Sequence, residues 1–236
     1  KTVVYRLKPG LTWADGQPLT AADIAFTYDF IVNPETAATT TAAYRGLASV
    51  EAIDPLTVKL SFREPTSGWY VPFVGSTGLI LPKHAFTGFA GAAARTAPYN
   101  MKPFGTGPFM VDSFAPGDRL SLVPNPRFRT PGRPALGGID LKGGGDATTA
   151  ARTVLQTAEF DYAWNLQVEG PVLRSIMASG RGDVVTSGGA GVELLLLNQS
   201  DPSAEVDGQR SSPGTRHPFL TDAVVRKAMA LAIDRQ

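Results

Sequence analysis

Three aspartates, Asp15, Asp23 and Asp29, lie close together in the stretch TWADGQPLTAADIAFTYDF. Closely spaced carboxylates can bind a metal ion or exchange protons, but they also serve as turn and cap residues. Asp15 precedes a glycine in a pair typical of tight turns, and Asp23 stands three residues after Thr20 in a capping pattern. Asp29 lies about 240° around a helix from Asp23, so the two carboxylates do not face each other. The calcium-loop pattern of alternating oxygen ligands closed by a glutamate is missing. We interpret the three aspartates as a turn residue, a first-turn charge and a helix-surface residue.

The other residues with catalytic or metal-binding potential do not form a recognisable set. The chain has two histidines, His84 and His217, far apart in sequence, and no cysteine, so the sequence predicts no metal site. No Gly-x-Ser-x-Gly motif is present, and the glycine runs KGGGD and SGGAG fit neither phosphate-loop pattern. Asp140, Asp161 and Glu193 could converge as a carboxylate hydrolase, although nothing in their spacing marks them as a pair. We predict no catalytic residue.

Aromatic residues are the remaining candidates for a binding site. Trp69, Tyr70 and Phe73 form one cluster, and Tyr162 and Trp164 share one face of a predicted strand by period two. Most such clusters belong to a core. An aromatic residue at the end of a strand in an α/β fold can also line a ligand crevice, and both interpretations stay open here.

Composition limits the class of protein. The 236 residues are 43% hydrophobic and 18% charged, with a formal net charge of +1. A balanced charge without a Lys/Arg run argues against a nucleic-acid partner, and no apolar run approaches the ~20 residues of a membrane span. The chain starts in a predicted strand and stops in an amphipathic helix without a cap, so we expect it to be part of a longer protein.

Hydrophobic periodicity and turn residues predict a mixed α/β chain, β-rich at first and then β-α-β-α-β. The predicted strands cover 3–8, 48–62 (a hairpin), the short run before Pro82, 107–125 (a hairpin), 137–141, 160–166, 184–187 and 192–198. The predicted helices begin near Thr20, after Pro82, and at 147, 169 and 221 or 222.

Several segments, taken in order, resemble one family. VVYRLKPGLTWADGQPLTAADIAFTYDF is similar to the segment by which the family 5 extracellular solute-binding proteins are recognised. FGTGPFMVDSFAPGDRLSLVPNPRFR resembles their G-T-G-P-[FY] strand and the turn after it, and VEAIDPLTVKLSF their earlier hairpin. HPFLTDAVVRKAMALAIDRQ resembles their P-F-x-D-x-x-V-R motif. QTAEFDYAWNL departs from the pattern, with Ala-Glu where glycine is usual.

The resemblance implies a fold and a division of the chain. Family members have two lobes, so it implies an α/β protein of the type II periplasmic-binding-protein kind, present here as a partial chain. Residues 1–103 would be a β-rich subdomain inserted in the first lobe, and 104–200 a central α/β part of that lobe. Residues 201–215 would be a loop, and 216–236 the start of the second lobe.

The resemblance also implies a function. Family members are receptors of ABC importers, so we expect a periplasmic or extracellular, membrane-anchored binding protein that takes a peptide or similar small solute without catalysis or cofactor. Its partners would be that solute and the importer's membrane subunits. A sensor or regulator that reuses this fold is an alternative, and a carboxylate hydrolase is a weaker one.

Candidate ligand-binding residues follow from the resemblance together with the aromatic pattern. The end of the 160–166 strand would place Trp164, Asn165 and Gln167 at the cleft. The segment before the crossover between lobes would add Val192 and Glu193 beside Gly191. Trp69 is a further candidate, on the inserted subdomain.

Overall fold

The computed structural model describes residues 1–188, 191 and 194–234. The strands of this part are β1 (Thr2–Arg6), β2 (Leu47–Asp54), β3 (Thr57–Phe62), β4 (Phe109–Ala115), β5 (Arg119–Pro124), β6 (Ile139–Lys142), β7 (Glu205–Val206) and β8 (Gln209–Arg210). The α-helices are α1 (Ala21–Val32), α2 (Ala147–Leu155), α3 (Gly170–Met177) and α4 (Ala223–Ala232). Short 3₁₀ helices include Lys83–Phe86, Gly91–Thr96 and Pro98–Asn100.

The first sheet is antiparallel in the order β1-β3-β2, and it carries the main core. Along the central strand β3, Val58, Leu60 and Phe62 point to the buried face, as the alternation of the sequence predicts. Helix α1 covers that face with Ile24 and Ile31. The predicted hairpin at 48–62 is therefore confirmed, and so is the strand that precedes it.

The capping pattern at the start of α1 is confirmed. Thr20 has the extended backbone of an N-cap, and the Asp23 carboxylate accepts a hydrogen bond from the Thr20 N–H at 2.8 Å. The helix ends at Val32, where Asn33 turns the chain into Pro34. Aspartate at the third helical position serves here where glutamate or glutamine is the usual partner.

The second sheet is antiparallel in the order β4-β5-β6. Its hairpin turns through APGD as predicted, and the predicted strand after it forms β6 at the sheet edge. Ion pairs tie β6 to the hairpin, since Asp140 lies 3.0 Å from Arg119 and Lys142 pairs with Asp118. These charges lie on a solvent-exposed surface.

Helices α2 and α3 pack on each other around a small second core of Ala151, Leu155 and Ile176. Both were predicted, as was α4, whose N-cap Asp222 accepts a hydrogen bond from the Val224 N–H at 2.7 Å. The polar loop ahead of α4 contains the two-residue hairpin β7-β8.

Four predicted strands are wrong within the described residues. Segments 160–166, 184–187 and 194–198 have no strand conformation, and the run before Pro82 has none either. A strand needs a neighbouring strand to satisfy its backbone N–H and C=O groups. In the described part no strand lies beside these segments, and apolar residues in them, such as Val185 and Leu196, are largely exposed. Residues 192 and 193 of the last predicted strand lie outside the described residues.

Candidate functional site

The predicted residues Trp164, Asn165 and Gln167 lie together on the connection between α2 and α3. All three are exposed, Trp164 to 81%. Leu166 and Val168, which alternate with them, are half-buried against the small core of the helix pair. The segment thus has an inner apolar edge that fixes it and an outer edge that presents the indole and the two amides.

The chemistry of that outer edge suits a solute with both apolar and amide groups. An indole face stacks on flat or apolar groups, and the two carboxamides each offer one acceptor and two donors. Asn165 has a left-handed backbone (φ 54°), which asparagine tolerates better than most residues. Val192 and Glu193, the other two candidates predicted near this segment, lie outside the described residues.

Trp69 lines a separate pocket of about 340 Å³ beside the first sheet. Its ring lies 6.5 Å from that of Tyr5 and 5.8 Å from that of Tyr70, and the side chain is 45% exposed. The residues around this pocket are Lys1, Thr2, Val3, Phe62, Pro65, Thr66 and Trp69. None of them belongs to the segment that carries Trp164, so the structure does not bring the two predicted tryptophans together within the described residues.

A second pocket, which the sequence did not predict, lies between β4 and the loops that follow β1 and β3. We call it the junction pocket, and its volume is about 400 Å³. It is lined by Ala14, Asp15, Ala85, Pro98, Tyr99, Lys102, Pro103, Phe104, Met110 and Val111. The lining is mostly apolar, with charged side chains only at Asp15 and Lys102.

Aromatic packing holds the wall of the junction pocket. The Tyr99 hydroxyl donates to the Phe104 carbonyl at 2.7 Å, which closes the loop between them. The Phe104 ring stacks on His84 at 5.7 Å and meets Trp13 edge-on at 6.4 Å. Burial raises the pKa of Tyr99 to about 12, although the bond to Phe104 opposes this shift, so the hydroxyl stays a donor at neutral pH.

Asp15 and Asp23 of the opening stretch hold the segment that contributes Ala85 to this pocket. Asp15 accepts from the Gln17 N–H at 3.0 Å, as a turn residue does, and its second oxygen lies 2.7 Å from His84 Nε2. Asp23 also accepts from the Lys83 N–H at 2.9 Å. The turn interpretation of Asp15 is confirmed, but it omitted the contact with His84.

Thr27 of α1 adds a third anchor to the same segment. Its hydroxyl donates to the Asp23 carbonyl at 2.7 Å and accepts from the Leu81 N–H at 2.9 Å. One face of the stretch at residues 12–30 therefore holds residues 81–84 by three polar groups. These partners are more than fifty residues apart in sequence, which is why local patterns could not reveal them.

The carboxylates considered for hydrolysis differ in their surroundings. Asp140 bonds to Ser121 and pairs with Arg119, and these contacts lower its pKa. A general acid needs the opposite shift. Asp161 is exposed, and Glu193 lies outside the described residues.

Both histidines have hydrogen-bond partners in the described part of the chain. His217 Nδ1 accepts from the Leu220 N–H at 3.1 Å, and His84 pairs with Asp15. Among residues 1–188, 191 and 194–234, no group of three or more His, Asp and Glu side chains is placed to hold a metal ion. In the same residues, no helix has the length and apolar character to cross a membrane.

Solved structures show what this fold is similar to. The oligopeptide-binding protein AppA of Bacillus subtilis, in complex with a nonapeptide, matches with a TM-score of 0.61 at 27% identity. The match covers 67% of this chain and 31% of AppA. MoaA of A. tumefaciens R10, in complex with mannopinic acid, matches with a TM-score of 0.59 at 26% identity over 68% of this chain and 31% of MoaA. The likeness confirms the type II periplasmic-binding-protein fold.

Sequence comparison leads to the same group. A provisionally named ABC transporter peptide-binding protein of Brucella ovis is 29% identical over 153 residues, which is 64% of this chain and 28% of that protein. This chain therefore spans well under half the length of the relatives it matches. Residues 1–236 match the family described as bacterial extracellular solute-binding proteins, family 5 Middle. The chain belongs to the family 5 bacterial extracellular solute-binding proteins.

Proposed function

We propose that the full-length protein is the solute receptor of an ABC importer. The receptor would bind a peptide or a related small solute between two lobes and deliver it to the importer's membrane subunits. The observation that carries this proposal is the family match over residues 1–236. The likeness to AppA in complex with a nonapeptide supports a peptide, and the likeness to MoaA in complex with mannopinic acid supports a wider range of solutes. The proposed role is binding without catalysis.

The proposed division of the chain follows the packing. Residues 1–103 would form the inserted subdomain, since they hold the first sheet and the main core. Residues 104–200 would be part of the first lobe, with the second sheet and the α2-α3 pair. Residues 201–215 would be the connecting loop, and 216–236, with α4, would begin the second lobe.

The proposed ligand contacts are the residues predicted from the sequence. Trp164 would stack on an apolar side chain or ring of the solute, and Asn165 and Gln167 would bond to its amide or hydroxyl groups. Their exposure on a segment fixed by α2 and α3 supports this role. Trp69 would contribute from the inserted subdomain, and Val192 and Glu193 from the segment before the crossover.

Export to the periplasm or the cell surface, with a membrane anchor, is part of the same proposal. The family's own description as extracellular supports it. Fractionation of host cells expressing the full-length protein would test this point. Recovery in the soluble cytosolic fraction alone would contradict it.

The receptor proposal is tested by solute capture. Native mass spectrometry of the full-length protein purified from its host should show a bound peptide or small solute, and calorimetry should then show binding of that solute. Trp164→Ala should weaken binding about tenfold, which is the ordinary effect of losing one aromatic contact of roughly 1–1.5 kcal/mol. Leu136→Ala, which truncates an exposed apolar side chain in the loop before β6, is the matched control.

One result would contradict the receptor role, and another would contradict only the proposed ligand contacts. Turnover of a peptide or glycoside substrate by the purified protein would contradict a binding role. Unchanged affinity in both Trp164→Ala and a Asn165→Ala/Gln167→Ala double variant would leave the receptor role but exclude these residues from the site.

A further inference from the structure

We propose that the junction pocket is a second binding site, for a small carboxylate with an aromatic or branched apolar body. Its volume of about 400 Å³ falls within the usual range for small-molecule sites, roughly 300–1,000 Å³. Its lining includes neither Trp69 nor any residue of the segment that carries Trp164. The inference is therefore independent of the receptor proposal.

The walls of the junction pocket select the body of the ligand. Apart from Asp15 and Lys102, its side chains are alanine, proline, valine, methionine and the rings of Tyr99 and Phe104. Such a lining favours an apolar group, and the aromatic rings favour a flat one.

The pocket is also held in shape without a ligand. The Tyr99–Phe104 hydrogen bond closes one wall, and the rings of Phe86 and Tyr99 lie 5.1 Å apart behind it. Asn100 secures the same loop, since its amide donates to the Ala94 carbonyl at 2.9 Å. Walls that are already ordered lose little conformational freedom on binding, which favours affinity.

The hydrogen-bond partners of the charged side chains at the pocket indicate which polar group the ligand carries. Both oxygens of Asp15 are engaged, one by the Gln17 N–H and the other by His84. The Lys102 ammonium has no hydrogen-bond or ion-pair partner among the described residues, and the side chain is exposed. The charged side chains at the pocket are therefore one carboxylate whose oxygens both have partners, Asp15, and one ammonium whose donors are unused in the described part of the chain, Lys102. A carboxylate matches both the donors and the charge.

The position of the site suggests what binding would do. The pocket joins Ala14 and Ala85, in the segments that follow β1 and β3, to Met110 and Val111 of β4. A ligand there would contact both parts at once and would stabilise their arrangement by its binding free energy.

A matched pair of ligands tests the proposal in the full-length protein. 3-Phenylpropionate and its neutral amide, 3-phenylpropanamide, share one body and differ in charge. Ligand-observed NMR titration should show the acid binding about two- to fivefold more tightly than the amide, as expected for an exposed ion pair. Lys102→Met keeps the apolar stem and removes the ammonium, so it should weaken binding of the acid by about the same factor and leave the amide unchanged. Lys8→Met, on the exposed turn after β1, is the control and should change neither.

A pocket-filling variant shows where the ligand sits. Val111→Trp should abolish binding of both ligands while circular dichroism and the thermal midpoint show a folded protein. If that variant does not fold, the acid–amide comparison in Lys102→Met still decides. Equal affinity for acid and amide, an unchanged affinity in Lys102→Met, or full binding by a folded Val111→Trp protein would each overturn the proposal.

Discussion

Removing the Asp23 carboxylate tests how the opening stretch holds the fold. Asp23 is 4% exposed and accepts hydrogen bonds from two backbone amides, those of Thr20 and Lys83. In Asp23→Ala both amides lose their acceptor, and the first turn of α1 loses a negative charge. Asp29, on the same helix but exposed, provides the control variant Asp29→Ala.

The expected size of the effect follows from these contacts. A lost N-terminal cap costs about 1 kcal/mol, and a second, partly buried amide left unsatisfied costs about 1 kcal/mol or more. The lost interaction with the helix dipole adds about 0.3–1 kcal/mol. The sum is about 2–3 kcal/mol, which corresponds to a factor of about 30–150 in a local opening equilibrium.

Asp23→Asn refines the same test. Asparagine has one carbonyl oxygen, so it can accept from only one of the two amides in the observed geometry. We expect Asp23→Asn to fall between the wild type and Asp23→Ala.

Hydrogen exchange read by mass spectrometry is the suitable assay, because it follows local opening around each of the two separate hydrophobic cores, which a single free energy of unfolding does not resolve. Peptides covering residues 19–32 and 79–86 should lose protection by about the factor given above in Asp23→Ala. Asp29→Ala should remain close to wild type, within about 0.5 kcal/mol. If both variants exchange alike, or if only the helix peptide changes and 79–86 does not, the link from Asp23 to Lys83 is wrong.

Three further predictions concern other parts of the fold. Tyr99→Phe should raise the rate of hydrogen exchange at residues 98–105, because the Phe104 carbonyl loses its donor. In the wild type, Tyr99 should titrate near pH 12, and its contribution to stability should be lost as the pH rises above about 10, the pKa of an unfolded tyrosine. Leu155→Ala should destabilise the α2-α3 pair by about 2–5 kcal/mol, seen as faster exchange in both helices, while wild-type rates there would contradict the packing. The hydrogen bond from Lys142 lowers the pKa of Asp118 in the folded protein. The stabilisation from this contact is therefore fully present at a pH above the pKa of Asp118 in the unfolded chain, and it is lost as the pH falls through the lower pKa of the folded protein. NMR titration should show this loss in wild type and not in Asp118→Asn.

Local signals predicted the elements whose partners are near in sequence. The two hairpins carry alternating apolar residues on either side of short turns, Asp54-Pro55 in one and APGD in the other, so each strand's partner is its neighbour. Helix α1 was predicted because Thr20 and Asp23 mark its start and Asn33-Pro34 its end. In each case these hydrogen-bond partners lie no more than fifteen residues apart along the chain.

The predicted strands that are wrong share the opposite property. The segment at 160–166 has the residue types of a strand, but an apolar run alone does not distinguish a strand from an extended connection. Pairing must come from elsewhere in the chain, and residues 160–166 instead connect α2 to α3, with Trp164 exposed. Residue type therefore did not determine the secondary structure of this segment, and the binding role of Trp164, Asn165 and Gln167 stays a prediction.

Asp15 and Asp23 show that local sequence patterns also do not reveal the long-range contacts of a site. Turn and cap chemistry explains why Asp15 and Asp23 occur where they do, and both roles are confirmed. Each carboxylate has a second oxygen, however, and a buried or half-buried oxygen requires a partner. Those partners, His84 and the Lys83 N–H, lie 69 and 60 residues away. A turn or cap aspartate whose second oxygen is turned away from solvent therefore indicates a tertiary contact, and here that contact builds one wall of the junction pocket.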